Sequence, residues 1–197
     1  MRLALPEIIR QVHLCQPERA IREYATIIGE LRPAPRAELE ALATEAVETV
    51  RDEGAFLMAV VTPPDAAPAL LTGVLLEVPP SWSGEVAELV RDAVEDVGGP
   101  DVRETITLDT GLGPAVIVQR VPGVEQARER RPLTVQLQAF LPEPGTGRML
   151  LLTLACPSVR GWAAYQAVFG SLVASASVSR NVAAEEESFE HRTYRLG

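Results

Sequence analysis

The stretch Leu133–Cys156, LTVQLQAFLPEPGTGRMLLLTLAC, decides the fold. In its first half Leu133, Val135, Leu137, Ala139 and Leu141 alternate with Thr134, Gln136, Gln138 and Phe140, the two-residue period of a strand with one polar face. Pro142 to Gly147 carries Pro142, Pro144, Gly145 and Gly147, which breaks the strand and turns the chain. Met149 to Ala155 is apolar nearly throughout, as a strand buried on both faces must be, so it belongs at the centre of a sheet. Two strands joined by so short a turn pair antiparallel.

The same reading extends upstream. Val102, Ile106 and Leu108 alternate with Arg103, Thr105 and Thr107, Gly111-Leu112-Gly113 supplies a turn, and Ala115 to Val121 returns. This predicts a four-strand meander. Ahead of it, Ala55–Thr62 and Leu70–Val78 are apolar runs of strand length, separated by the Pro63-Pro64-Asp65-Ala66-Ala67-Pro68 linker that can continue neither. They form a loose hairpin.

Helical period fills the gaps. Ala20, Ile21, Tyr24, Ile28 and Leu31 make one stripe after Pro17, a good first helical residue. Leu39, Leu42, Ala43, Ala46, Val47 and Val50 make a second, backed by Glu38, Glu40, Glu45 and Glu48 and stopped at Gly54. Val86, Leu89, Val90, Ala93, Val94 and Val97 make a third, with Ser83 as its cap and Gly98-Gly99-Pro100 as its stop. A closing helix turns Val159, Trp162, Ala163, Phe169, Leu172, Val173 and Ala176 inward, with Ser158 as cap. Glu7–Leu14 reads as a short strand whose alternation Arg10 interrupts. The expected fold is α+β: a mostly antiparallel sheet of six or seven strands packed with helices. A single domain spans 1–180, its first 54 residues largely helical, and 181–197 form a polar tail around Glu185-Glu186-Glu187.

Composition bounds the function. A globular chain of 197 residues buries about 70% of its unfolded surface and folds without disulfide or metal. All 18 basic residues are arginine, the mark of a high-GC genome such as an actinobacterial one. The net charge of −9 argues against nucleic acid and anionic lipid as partners. No apolar run approaches the ~20 residues that span a bilayer, and no signal core precedes Pro6, so the expectation is a cytoplasmic protein with no membrane insertion. Cys15 and Cys156, far apart in such a chain, read as reduced thiols.

From Leu70 to Val178 the order of elements resembles the PsbP-like α/β sandwich family. The likeness rests on Pro79-Pro80-Ser81-Trp82, the alternating Leu133–Leu141 strand, Met149–Pro157, and Trp162–Ser177 with its Tyr165 and Phe169. It covers somewhat over half the chain, through packing motifs of low specificity. The family places its Pro-Pro-x-Trp ahead of the sheet, whereas here a helical region and a hairpin precede it. The resemblance implies a non-catalytic binding or accessory module and names no partner.

The chemical motifs are thin. His13 and His191 are the only candidate histidine bases, and no Gly-x-Ser-x-Gly is present. Gly111-x-Gly113 lacks the third glycine of a dinucleotide loop, and the cysteines and histidines do not show zinc spacing. No cofactor is expected. Two places merit inspection. Cys156 precedes the closing helix, whose dipole would stabilise a thiolate, with Arg160 adding positive charge. Arg120, Arg128, Arg130 and Arg131 cluster at the Val121–Pro132 loop, where guanidinium groups could grip a phosphate or an acidic partner.

The leading expectation is therefore a protein-binding or accessory module, which could be a homodimer. The alternatives are a small-molecule binder or minor enzyme with a pocket between sheet and helices, and a secretion-system chaperone that uses the acidic helix Arg36–Glu53.

Overall fold

A computed structural model describes residues 2–77, 84–122, 134–143 and 145–177. The elements are β1 (Ile9–Val12), α1 (Pro17–Leu31), α2 (Arg36–Asp52), β2 (Ala55–Val61), β3 (Ala69–Glu77), α3 (Gly84–Val97), β4 (Val102–Thr110), β5 (Gly113–Arg120), β6 (Val135–Glu143), β7 (Arg148–Cys156) and α4 (Trp162–Ala174). The seven strands form one antiparallel sheet in the order β1-β2-β3-β7-β6-β5-β4. The α+β fold, with a sheet packed against helices, is as the sequence predicts.

Both strands of the deciding stretch take their expected places. β6 buries Val135, Leu137, Ala139 and Leu141 and leaves Gln136 and Gln138 half-buried. β7 is the central strand, paired with β6 on one side and β3 on the other. After β3 the chain crosses the sheet through α3 to the far edge, and the meander β4-β5-β6 brings it back beside β3 as β7. Gly73 lies where these halves press together: a Cβ there would stand 3.1 Å from Leu57 Cβ and 3.3 Å from Leu152 Cδ2.

The two faces are covered unequally. Over one face lies α4, whose Tyr165, Phe169, Leu172 and Val173 join Leu57, Leu71, Leu137, Leu152 and Leu154 in the largest core cluster. On the other, α1 and α2 close over Val12, Met58 and Val60 at the β1–β2 end. At the opposite end α3 closes over Val116 and Val118. The loop after β2 is tied down by the Tyr165 hydroxyl, which donates to the Ala67 carbonyl.

Two local expectations change. The closing helix begins at Trp162 with Gly161 as its N-cap in the left-handed region (φ 79°), and Ser158 makes no cap to it. The Ser158 hydroxyl accepts from the Arg160 N–H instead. A Cβ on residue 161 would meet Ala66 Cβ at 2.4 Å, so the chain needs glycine there. Val159 consequently precedes the helix and is 63% exposed. The expected cap Ser83 lies outside the described residues.

Both sheet edges resist further pairing. β1 has four residues, and β4 carries Arg103, Glu104 and Asp109 with a register shift between Val102 and Glu104.

Leu152, fully buried between β3 and β6, is the test of the centre. Leu152→Ala should destabilise the fold by about 2–5 kcal/mol in urea denaturation. Val159→Ala should change it by less than ~0.5 kcal/mol.

Candidate functional site

Of the residues singled out by sequence, the described ones, Cys156 and Arg120, each serve the fold. Cys156 is the last residue of β7, and its side chain points into the main core cluster with no exposed surface. Helix α4 starts only at Trp162, so the dipole that would favour a thiolate begins several residues further on. Burial pushes the Cys156 thiol up to about 12. This is a packing residue that keeps its proton. Cys15, by contrast, is exposed.

Arg120 ends β5 and is committed to the fold. Its Nε donates to Gln138 Oε1 (2.8 Å), and its Nη1 to the Gly98 carbonyl (2.8 Å) and to Asp101 (3.1 Å). It clamps the end of α3 to the sheet, with 22% of its side chain exposed. Arg128, Arg130 and Arg131 lie outside the described residues, as does His191.

The charged cluster at the start of the chain also braces structure. Partial burial raises the Glu23 carboxyl, but hydrogen bonds from the His13 backbone N–H, Arg19 and the His13 ring outweigh it and bring it down to about 2. Arg10 pairs with Glu30, fastening β1 to α1. Among the described residues no three His, Cys, Asp or Glu side chains gather as metal ligands would, and no buried side-chain polar atom lacks a partner.

A surface feature is more informative. The helical stripes prove wider than the surface that covers them. Leu42 of α2 and Leu89 of α3, both expected to face inward, are 47% and 67% exposed. Leu31 and Val97 are exposed too. The physical reason lies in where the helices land. α1 and α2 pack on β1 and β2, and α3 packs on β4 and β5, so the described helices leave β3, β7 and β6 largely uncovered on this face.

The floor of that opening is three cross-strand rows from β3, β7 and β6. They are Leu70–Ala155–Gln136, Thr72–Thr153–Gln138 and Val74–Leu151–Phe140, and all nine residues are half-buried. One wall comes from α2, backed by α1. There Tyr24, Ile28 and Leu31 of α1, Leu39, Leu42 and Ala46 of α2, and Leu70 of β3 line an apolar groove of about 730 Å³, with Glu38 and Glu45 at its lip. The other wall is α3. Glu95 hydrogen-bonds Thr105 on the edge strand, so the opposite flank, bearing Val86, Leu89 and Ala93, turns toward β6. Phe140 packs at its foot.

The trough thus has apolar walls, a floor in which apolar rows flank the polar Thr72–Thr153–Gln138 row, and acidic rims. Glu38, Glu45, Glu85 and Asp96 are exposed on its two rims, and none is in an ion pair among the described residues. In the sequence these leucines fall on apolar stripes, and Glu38 and Glu45 back the second of them. The overwide stripes were the available signal, but they acquire meaning only once the helices are placed.

The Cys156 assignment has a direct check. A thiol-reactive dye at pH 8 should label Cys15 in the native protein and reach Cys156 only on unfolding. Because the folded thiol holds its proton to about pH 12, the unfolded chain alone ionises above the ordinary thiol pKa of ~8.5. Stability should therefore fall as pH rises from ~9 toward 12, and Cys156→Val should flatten that fall. In comparisons with known proteins, no protein-family model and no curated protein matches the chain.

Proposed function

We propose that this protein is a non-catalytic protein-binding or accessory module that works through the trough between α2 and α3. The observation that carries this reading is the face of β3, β7 and β6 that the described helices leave largely uncovered, flanked by exposed leucines of α2 and α3. Burying a leucine side chain is worth roughly 1.5–3 kcal/mol, and Leu42 and Leu89 are each about half uncovered or more. A partner that covers them gains that stabilisation, and contiguous exposed apolar surface with a polar rim is what interaction sites present. The reading also fits Cys156, which is held protonated in the core, and Arg120, which is spent on structure.

The finer expectations stand with this proposal. A cytoplasmic setting suits the net charge of −9 and two cysteines that do not pair. The likeness to PsbP-like sandwiches is supported by a closing helix that carries Tyr165 and Phe169 into the core. No described helix is long and apolar enough to cross a membrane.

A second reading, a small apolar ligand, is favoured by the groove of about 730 Å³ beside α2, within the ~300–1,000 Å³ of ligand pockets. Native mass spectrometry of the purified protein separates the two, because a resident ligand adds a discrete small mass.

For the protein-binding reading, a photo-crosslinking amino acid placed at position 42 or 151 in cells should give discrete protein adducts. The same group at position 159, on an exposed residue away from the trough, should give none. Equal patterns at all three positions would remove the trough from the function.

A further inference from the structure

We propose that the trough receives a cationic amphipathic α-helix from a partner protein. This rests on the protein-binding reading and names the chemistry of the partner. Three features of the surface specify it.

The first is width. The outer strands of the floor, β3 and β6, lie about 10 Å apart, which is the diameter of one α-helix with its side chains. Helices α2 and α3 already pack on the same sheet face at either side, so an added helix would continue the existing layer. A strand has no comparable place, because the trough presents side chains from the middle of the sheet, and both sheet edges are short or charged.

The second is the pattern of chemistry across the trough. Leu39, Leu42 and Ala46 on one wall and Val86, Leu89 and Ala93 on the other suit an apolar stripe repeating at i, i+3, i+4 and i+7. The floor adds Leu70, Val74, Leu151 and Phe140. Its Thr72–Thr153–Gln138 row gives the incoming helix a polar register mark, since an apolar side chain set over it would cut the threonine hydroxyls off from water.

The third is charge. Among the described residues both rims carry carboxylates outside any ion pair, Glu38 and Glu45 on α2 and Glu85 and Asp96 on α3. Of the described cations, Arg32 lines the groove, and Arg120, bonded to Gln138 of the floor, is paired with Asp101. A helix with arginines or lysines flanking its apolar stripe meets carboxylates on both sides, and one with acidic flanks is repelled on both sides. Charge therefore selects the sign of the partner, and the apolar trough supplies the affinity.

The test uses the full-length protein and two synthetic helical peptides of about 16 residues, ~24 Å long. Both carry the same leucine stripe, flanked in one by arginine and in the other by glutamate, and binding is read by fluorescence anisotropy. The arginine peptide should bind at least roughly tenfold more tightly than the glutamate peptide, and that preference should shrink as salt rises. Glu38→Arg with Glu45→Arg should erase most of the preference. Leu42→Asp and Leu89→Asp should each weaken the arginine peptide by about tenfold or more, with circular dichroism unchanged. Val159→Asp should leave binding as it is.

Equal affinity for the two peptides overturns the proposal. So does a Val159→Asp loss as large as that of Leu42→Asp, which would mean that the peptide binds the acidic protein without regard to place. A crosslink from position 42 to residues 178–197 of the same chain would assign the trough to the protein's own C-terminal segment, and the partner helix would fall. Position-specific protein adducts in cells, alongside any of the first two failures, would leave the protein-binding reading intact and reject only the cationic helix.

Discussion

The pairing of β3 with β7 holds the two halves of this protein together. It runs from Leu70 against Ala155 to Glu77 against Arg148 and joins residues that are far apart in the chain. On its N-terminal side are β1, β2 and the α1–α2 pair; on its C-terminal side are the meander and α3. Without it the chain would make two small sheets, each exposing an apolar edge. Closing so long a loop is entropically unfavourable, and the return comes from burying Leu71, Leu152 and Leu154 beneath α4. Gly73 permits this closeness, since a side chain there would press on Leu57 and Leu152.

The same pairing creates the open surface. Because β7 is inserted beside β3, the crossover helix α3 is carried to the far end of the sheet, over β4 and β5. Helices α1 and α2 stay with β1 and β2. The centre of the sheet is thereby the part of this face that the described helices do not cover, although its strands are the most completely paired. Tight backbone pairing and an uncovered side-chain surface coexist at one place. Such a platform is rigid, so a partner that docks on it loses little of its binding energy to ordering the receptor.

The groups with chemical potential serve the scaffold. Arg120 neutralises the end of α3 and holds Asp101, Glu23 gathers His13 and Arg19, and Cys156 fills space. Each is explained by the contact it makes. The exposed leucines of the trough are not explained by folding, and that asymmetry is why the functional argument rests on a surface.

Much of the architecture was legible in the sequence. The alternation in Leu133–Leu141 and the apolar run Met149–Ala155 determined a half-buried strand beside a central one, because side-chain period and solvent contact are local properties. Helix and strand order followed for the same reason. Helix capping at Gly161 was not legible, since that glycine is required by Ala66, a contact between distant segments. Nor was the trough. A stripe containing Leu42 or Leu89 says that one side of a helix is apolar, but it cannot say how much of that side the sheet will cover. Coverage depends on where α2 and α3 land across seven strands, and strand order is set by the long-range pairing of β3 with β7. By itself the sequence determined which residues are apolar and with what period; only the tertiary structure decided which of them remain open, because the area of a sheet and the number of helices placed on it are properties of the assembled layers.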